Sequence, residues 1–323
     1  MTVPAYIVKR LGWAVVLAFS ISLVTFTIFY VIPQNAVHTR QSGTTDLGKW
    51  TGLHGSMATQ YAQWLSHIAH GSLGRSFYVH QTVLEMIGNA LPVTLSLVLG
   101  GAVLWLLIAV PVAILSALRP RSLVDRSATV LVLVGLSVHP LWLGLMLSYL
   151  FGFRLGWLPT NGYCDLIHPD TICGGPAQWA SHLVLPWVTF GLVFAALYMR
   201  MIRASVAEAL NEDFVRQARA KGLSEWRAVT SHVLPNALVP VVAMLAMDIG
   251  RLALPTALFV ETAFGLPGLG RLFYQSVLRN DLPVMVGVIV VSALAVVVCN
   301  LVADLLFPVL DPRIRLDPSP APA

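Results

Sequence analysis

Six stretches of the chain, roughly 11–32, 91–118, 128–152, 182–200, 236–260 and 284–308, each run for about 20 residues or more with few charges. That is the length a helix needs to cross the hydrocarbon core of a bilayer. No water is available there to satisfy backbone N–H and C=O groups, so an apolar run of this length folds as a helix that satisfies its own. With 57% hydrophobic and 11% charged residues in 323, the composition lies far from that of a soluble domain. The fold class expected is all-α: an integral membrane protein with six transmembrane helices. The first run is too long for a cleaved signal peptide, and no small-residue cleavage site follows Val31 to Pro33. It is expected to stay as an anchor in surrounding membrane lipid.

Lys and Arg in short loops remain on the cytoplasmic side. Lys9 and Arg10 precede the first run; Arg119, Arg121 and Arg126 follow the second; Arg200 to Arg227 follow the fourth; Arg313 and Arg315 follow the sixth. These four segments share one side, so both termini are expected in the cytoplasm. The divisions expected are 1–90, an N-terminal span and external loop; 91–310, a core of five spans; and 311–323, a cytoplasmic tail. The basic balance follows from this asymmetry and from a scarcity of acids. Without aromatic stacking platforms among the basic residues, no nucleic acid partner is expected.

Between the fourth and fifth runs, Phe214 to Pro235 is charged and reads as two short helices hinged at Gly222. Ala218, Ala220 and the straight-chain Arg and Lys residues favour helix, Gly222 stands where a helix end favours positive φ, and Ser224 can cap the next helix. That next helix is expected to end at Leu234 and Pro235. Phe214, Val215, Ala218, Leu223, Trp226 and Val229 then offer apolar knobs to another surface, ringed by Arg216, Arg219, Lys221 and Arg227. A solvated loop between spans is the competing reading.

On the other side, the segment Gln34 to Gly55 is polar and expected to be irregular. Met57 to Ile68 reads as an amphipathic helix with Tyr61, Trp64, Leu65 and Ile68 on one face, and Val83 to Ile87 as a second short element before a span opens at Leu91 and Pro92. Together they form an external helical cap, or an ordinary loop. Gly43 to Lys49 has the spacing of a phosphate-binding loop, yet Trp50 stands where Ser or Thr must reach magnesium and no strand precedes it. With no other nucleotide-binding pattern, any ATP would have to be hydrolysed by another chain. His67 and His70 share a helical face near His54 and His80, but no carboxylate or cysteine joins them at matching spacing, so no metal site is assigned. Cys164 and Cys173 lie in the second external loop, where an oxidising compartment permits either a disulfide or two separate thiols. Cys299 reads as a packing residue.

Charges inside the runs are costly and belong on the bundle interior or a hydrated path. Asp248 and Arg251, three residues apart, can pair along one face as lining of a pathway or as a structural ion pair. His139 with Pro140 reads as a kink, and Asp304 as an interfacial charge. Glu261 to Arg271 is rich in Gly and Pro; it reads as a re-entrant turn leading to a short helix, or as a plain hairpin.

Taken in order, these residues resemble a known family. Gly222, Leu234 and Pro235 match the cytoplasmic coupling loop of permeases, whose pattern is Glu-Ala-Ala, three residues, Gly, nine residues, an aliphatic, one residue, Leu-Pro. Here Arg216, Gln217 and Ala218 keep only the second alanine, and His232 replaces the aliphatic. Ala220 to Ser224 favours the peptide branch, as do Gln60, Tyr61, Trp64 and Leu65, Gly71 to Ser76, Trp142 to Gly144, Gly156 to Pro159 with Gly162 and Tyr163, Phe264 to Gly270, Asp281 to Pro283 and Leu310 to Arg315. After the first span, Pro33, Gln34 and Asn35 depart from the usual Gly-Asp-Pro. The chain is similar to a transmembrane permease subunit of a bacterial binding-protein-dependent ABC importer of the dipeptide/oligopeptide/nickel branch.

That resemblance implies a multi-pass subunit of the bacterial cytoplasmic (inner) membrane with no catalytic residue and no cofactor of its own. Its partners would be a homologous second permease, one or two cytoplasmic ABC ATPases that bind ATP and Mg, and an external solute-binding protein. It places coupling at Phe214, Ala218, Gly222, Leu223, Trp226, Leu234 and Pro235; the pathway is expected at Asp248 and Arg251 from their charge within an apolar run. Peptide is the first substrate expected, with nickel or a chelated metal as the alternative. An ion-coupled secondary transporter is a rival from another class, but it usually shows inverted repeats, which these six runs lack.

Overall fold

The computed structural model describes residues 3–31, 56–79, 81–166 and 173–310. Among them all regular structure is helical, and extended pairing is confined to two isolated bridges, Arg75 with Thr82 and Asp165 with Gly174. Helix α1 (Val3–Phe26) is prolonged by a π turn, Thr27–Val31. Helix α2 (Met57–Ala69) begins where the Ser56 hydroxyl accepts from the Thr59 N–H, a cap that satisfies one orphan donor. Its apolar face is the one the spacing predicts: Trp64 is buried with Phe26, Val286 and Val290, flanked by Tyr61 and Ile68. The Tyr61 hydroxyl lies 2.7 Å from Ser22 Oγ, fastening α2 to α1.

Helix α3 (Val83–Leu118) corrects an expectation. The short element over 83–87 and the span opening at Leu91 are one continuous helix of 36 residues, with Pro92 and Pro111 inside it. A proline removes one N–H and strains one turn; neither Pro92 nor Pro111 interrupts a helix whose flanking residues Ala90, Val93, Thr94 and Ala113 are all buried. The third run departs in the opposite sense. Instead of one kinked span, α4 (Leu123–Ser137) and α5 (Pro140–Leu147, prolonged by a π segment Ser148–Arg154) are bent by 107°. Pro140 disfavours helical backbone at the residue before it, and Val138 is already extended. His139 Nδ1 then accepts the Leu141 N–H at 3.3 Å and restarts the helix.

Helix α6 (Pro176–Ala209) makes the most extensive contact of the bundle, with α3. The approach is close because Gly100 has no Cβ; one placed there would sit 2.2 Å from the Trp187 ring, and the Trp187 N–H instead reaches the Ser96 carbonyl at 2.9 Å. Small residues serve this purpose in membranes, where apolar surface alone gives helices no reason to associate. Trp105 nests against Phe190, Phe194 and Tyr198, with 4.8 Å between the Trp105 and Phe194 rings.

The chain then forms α7 (Asp213–Ala220), α8 (Glu225–Ala228), a π turn Val229–Val233, α9 (Leu234–Ala237), α10 (Val239–Phe264), α11 (Leu269–Arg279) and α12 (Leu282–Leu310). The helix after the hinge does not end at Leu234 and Pro235 as expected. Pro235 falls in the first turn of α9, where a missing N–H removes little, so the path stays helical into α10. Arg10–Phe29, Val83–Leu118, Pro176–Ala209 and Leu282–Ala303 are long and apolar enough to cross a membrane, and the bent pair supplies a fifth such segment. Helix α10 covers the remaining apolar run.

Candidate functional site

The hinge between α7 and α8 forms as its residues dictate. Gly222 has φ +81°, a conformation in which a side chain meets the backbone. Its N–H bonds to the Arg219 carbonyl at 3.0 Å and the Leu223 N–H to that of Ala218 at 3.3 Å, closing the end of α7. Ser224 takes the cap position of α8, where its carbonyl accepts the Ala228 N–H at 2.9 Å while its hydroxyl makes no cap bond. Across the hinge, Arg219 Nη2 donates to Glu225 Oε1 at 3.3 Å.

The apolar residues expected to wait for a partner are divided between two directions. Val215 and Val229 are fully buried, Ala218 nearly so, and Phe214 packs, partly buried, on the core that includes Val215 and Val229. They attach the elbow to its own bundle. Trp226 is 64% exposed; Arg216, Arg219, Lys221 and Arg227 on the same elbow are exposed too, Arg216 paired with Asp213 and Arg219 with Glu225, and Leu223 is half-buried. Leu234 is half-buried and Pro235 exposed. An indole 64% exposed offers large apolar area with little side-chain entropy to lose on contact.

Behind the elbow lies a cluster that the sequence did not reveal. Arg203, on α6 before the elbow, donates from Nε to Asp125 Oδ1 at 2.8 Å and from Nη2 to Asp125 Oδ2 at 3.1 Å. The Asp125 carboxylate also accepts from Ser116 Oγ and, at 2.9 Å, from the Arg121 N–H. One carboxylate thus joins the end of α3, the turn after it, the start of α4 and α6. A separation of 78 residues hides the Arg203–Asp125 pair from inspection of a single sequence.

Asp248 accepts a hydrogen bond from the Tyr198 hydroxyl at 2.9 Å, which links α10 to α6. The side chain of Arg251 lies outside the described residues, as do that of Asp304, His54, His80 and the Gly43 to Lys49 segment. His70 Nδ1 is 2.7 Å from the Ser66 carbonyl within its own helix. Among the described residues, Cys164, Cys173 and His182 hold metal-ligating atoms within 4.8 Å of one another. The two sulfurs are joined as a disulfide, with Cα atoms 5.2 Å apart, so neither is the thiolate a metal requires.

The end of the bundle away from the elbow is closed by the Gly/Pro passage. Gly265 caps α10 with φ +66°, and α11 packs back against α10, so the passage is a tight turn leading to a short helix. Glu261 organises it while fully buried. Its carboxylate accepts from Thr94 Oγ1 at 2.7 Å and from the Arg271 N–H at 2.9 Å, while the same Thr94 oxygen accepts the Leu269 N–H at 2.8 Å. A Cβ on Gly268 would lie 2.2 Å from that carboxylate. Nearby, buried Asp281 accepts from Ser76 Oγ and from the Phe77 N–H at 3.3 Å, fixing the 72–82 turn to the start of α12. In the sequence Glu261 marks the start of a Gly/Pro-rich turn, and its signal is an acid set at the end of an apolar run.

Comparison with known proteins assigns this geometry a context. Residues 109–316 match the profile of the family described as binding-protein-dependent transport system inner membrane component, and residues 3–98 match its N-terminal companion. The oligopeptide transport system permease protein AppB of Bacillus subtilis is 34% identical over 96% of this chain and 99% of its own. The dipeptide transport system permease protein DppB of Alkalihalophilus pseudofirmus is 33% identical over 96% and 99%.

Proposed function

The chain belongs to the binding-protein-dependent transport system inner membrane component family, and from that premise we propose that it is one of two permease subunits through which an ABC importer admits peptides to a bacterial cell. The related oligopeptide and dipeptide permease proteins support the substrate class. In this reading six helices span the inner membrane, both termini are cytoplasmic, and the elbow of α7 and α8 meets a cytoplasmic ATPase. The nucleotide and its Mg belong to that partner. This chain makes and breaks no bond; it shifts between two conformations that the partners stabilise to different extents.

The observation that carries the reading is the division of the elbow. Val215, Ala218 and Val229 anchor it to the bundle, so a push on it must move α6 and α10. The exposed Trp226 is available for that push. Nucleotide-driven closure of the ATPases would open the path outward to a peptide-loaded receptor, and hydrolysis would reset it inward.

Uptake into vesicles tests this. Both permeases, the ATPases and the loaded receptor, reconstituted together, are expected to accumulate peptide only with ATP and Mg, and an imposed ion gradient is expected to replace neither. Uptake driven by the gradient alone would make the chain a secondary carrier. Accumulation of nickel and not of peptide would move it to the metal-importing members.

A further inference from the structure

The loop after α5 and the first turns of α6 bring together three groups that peptide import leaves unused: the sulfurs of Cys164 and Cys173 and the ring of His182. Their ligating atoms lie within 4.8 Å of one another, with Cys164 buried and the other two half-buried. Chain on both sides of the cluster is fixed. The Gly174 N–H, just after Cys173, donates to Gln178 Oε1 at 2.7 Å, and His182 stands one turn further along α6.

The His182 ring is set as a ligand would be. Its Nδ1 lies 2.9 Å from the Gln178 carbonyl; a carbonyl only accepts, so Nδ1 carries the proton and donates it there, with Cys164 Sγ also near it at 3.3 Å. The lone pair is left on Nε2, 3.7 Å from Cys164 Sγ. Metal-binding histidines are commonly oriented in this way, with one ring nitrogen donating to a backbone carbonyl or carboxylate and the other coordinating. In a tetrahedral zinc site, Zn–S and Zn–N bonds of about 2.3 and 2.0–2.1 Å put sulfur and nitrogen roughly 3.5 Å apart. Two thiolates and an imidazole favour thiophilic ions such as Zn2+ over Mg2+ or Ca2+. Only the bond between the two sulfurs stands in the way.

We propose that reduction of the Cys164–Cys173 disulfide opens a zinc site made of both thiolates and His182 Nε2, with a fourth position left to water. A dithiol reductant supplies the two electrons. Its thiolate attacks the less buried Cys173 sulfur, Cys164 leaves as a thiolate beside His182, and the reductant closes its own disulfide as Cys173 is released. Zn2+ then displaces the two thiol protons to solvent, while the imidazole binds neutral. One closure of the 164–173 loop is thereby exchanged for another, and the oxidised chain takes no metal.

The test uses the untagged full-length chain in detergent, carrying Cys299→Ser so that Cys164 and Cys173 are its only thiols. After reduction with a phosphine and removal of excess reagent, Zn2+ is added and bound metal is counted against a competing chelator. About one Zn2+ per reduced chain is expected, and none on the oxidised chain. Co2+ in its place should show thiolate-to-metal charge-transfer absorption only after reduction. His182→Ala should weaken binding by at least the roughly tenfold that loss of an outer-shell partner costs. Cys173→Ser should abolish it, and serves if His182→Ala disturbs folding. No zinc on the reduced chain, equal zinc on the oxidised chain, or binding unchanged in both variants overturns the site.

Discussion

Arg203 holds Asp125 through two hydrogen bonds, at 2.8 and 3.1 Å, and in doing so ties the α3–α4 turn to the stretch of α6 that leads into the elbow. A carboxylate so positioned links α3, α4 and α6 through one group. In the proposed function, motion entering at Trp226 would then reach α3 and α4 as well as α6 and α10.

Breaking that tie should separate ATP hydrolysis from transport. Arg203→Ala or Asp125→Asn is expected to lower peptide uptake per ATP by roughly tenfold, on the scale of a typical coupling between sites. The reciprocal exchange, Arg203→Asp with Asp125→Arg, should restore part of it. Parallel uptake and ATPase assays read the ratio; equal loss of both activities with no recovery would indicate a purely structural pair.

The elbow substitutions act on different terms. Trp226→Glu removes exposed apolar contact and is expected to abolish uptake while leaving insertion intact, because the Trp226 side chain is largely exposed. Gly222→Ala should cost about 1–2 kcal/mol through its left-handed backbone, whereas Gly222→Pro also loses the bond to Arg219 and should uncouple completely. Membrane yield, ATPase activity and uptake, measured together, distinguish the three.

Thr94→Val tests the buried knot at the far end. Without its hydroxyl, a Glu261 oxygen and the Leu269 N–H both lose a partner away from solvent, for an expected loss of about 2–4 kcal/mol. Gly268→Ala should be comparably harmful because its Cβ would press on the same carboxylate. Thermal unfolding of the purified complex should show lower midpoints for both variants than for an exposed control such as Gln217→Ala.

The disulfide offers a milder perturbation. Replacing Cys164 and Cys173 together by Ser releases a short loop closure, worth about 2–3 kcal/mol in the chain-entropy account. Thiol alkylation and intact mass before and after reduction should show the wild-type pair protected until reductant is added. A pair labelled without reductant would contradict the bond.

Much of the architecture was legible because it rests on local rules. The apolar runs gave the long helices, Gly222 gave the hinge, and the spacing of Tyr61, Trp64 and Ile68 gave the buried face of α2. The misreadings came where a local signal met tertiary packing. Pro92 and Pro235 looked like boundaries, yet each lies in helix that continues through it. His139 and Pro140 looked like a kink and produced a full break, because an extended Val138 and a ring-nitrogen cap act together there. The apolar residues of α7 and α8 looked like one face; which of them turn inward depends on where α6 lies. Asp125 with Arg203, and Thr94 with Glu261, needed three dimensions, since nothing in a single sequence pairs residues so far apart.

The central claim is that force from a separate ATPase enters this subunit at the α7–α8 elbow, and cross-linking from Trp226→Cys tests it most directly. With native cysteines replaced and the complex assembled, a short bifunctional reagent should join position 226 to the ATPase, with a yield that changes between nucleotide-free and ATP-bound states. A link to any other component in place of the ATPase, or labelling of position 226 from the outer face of sealed vesicles, would contradict the account.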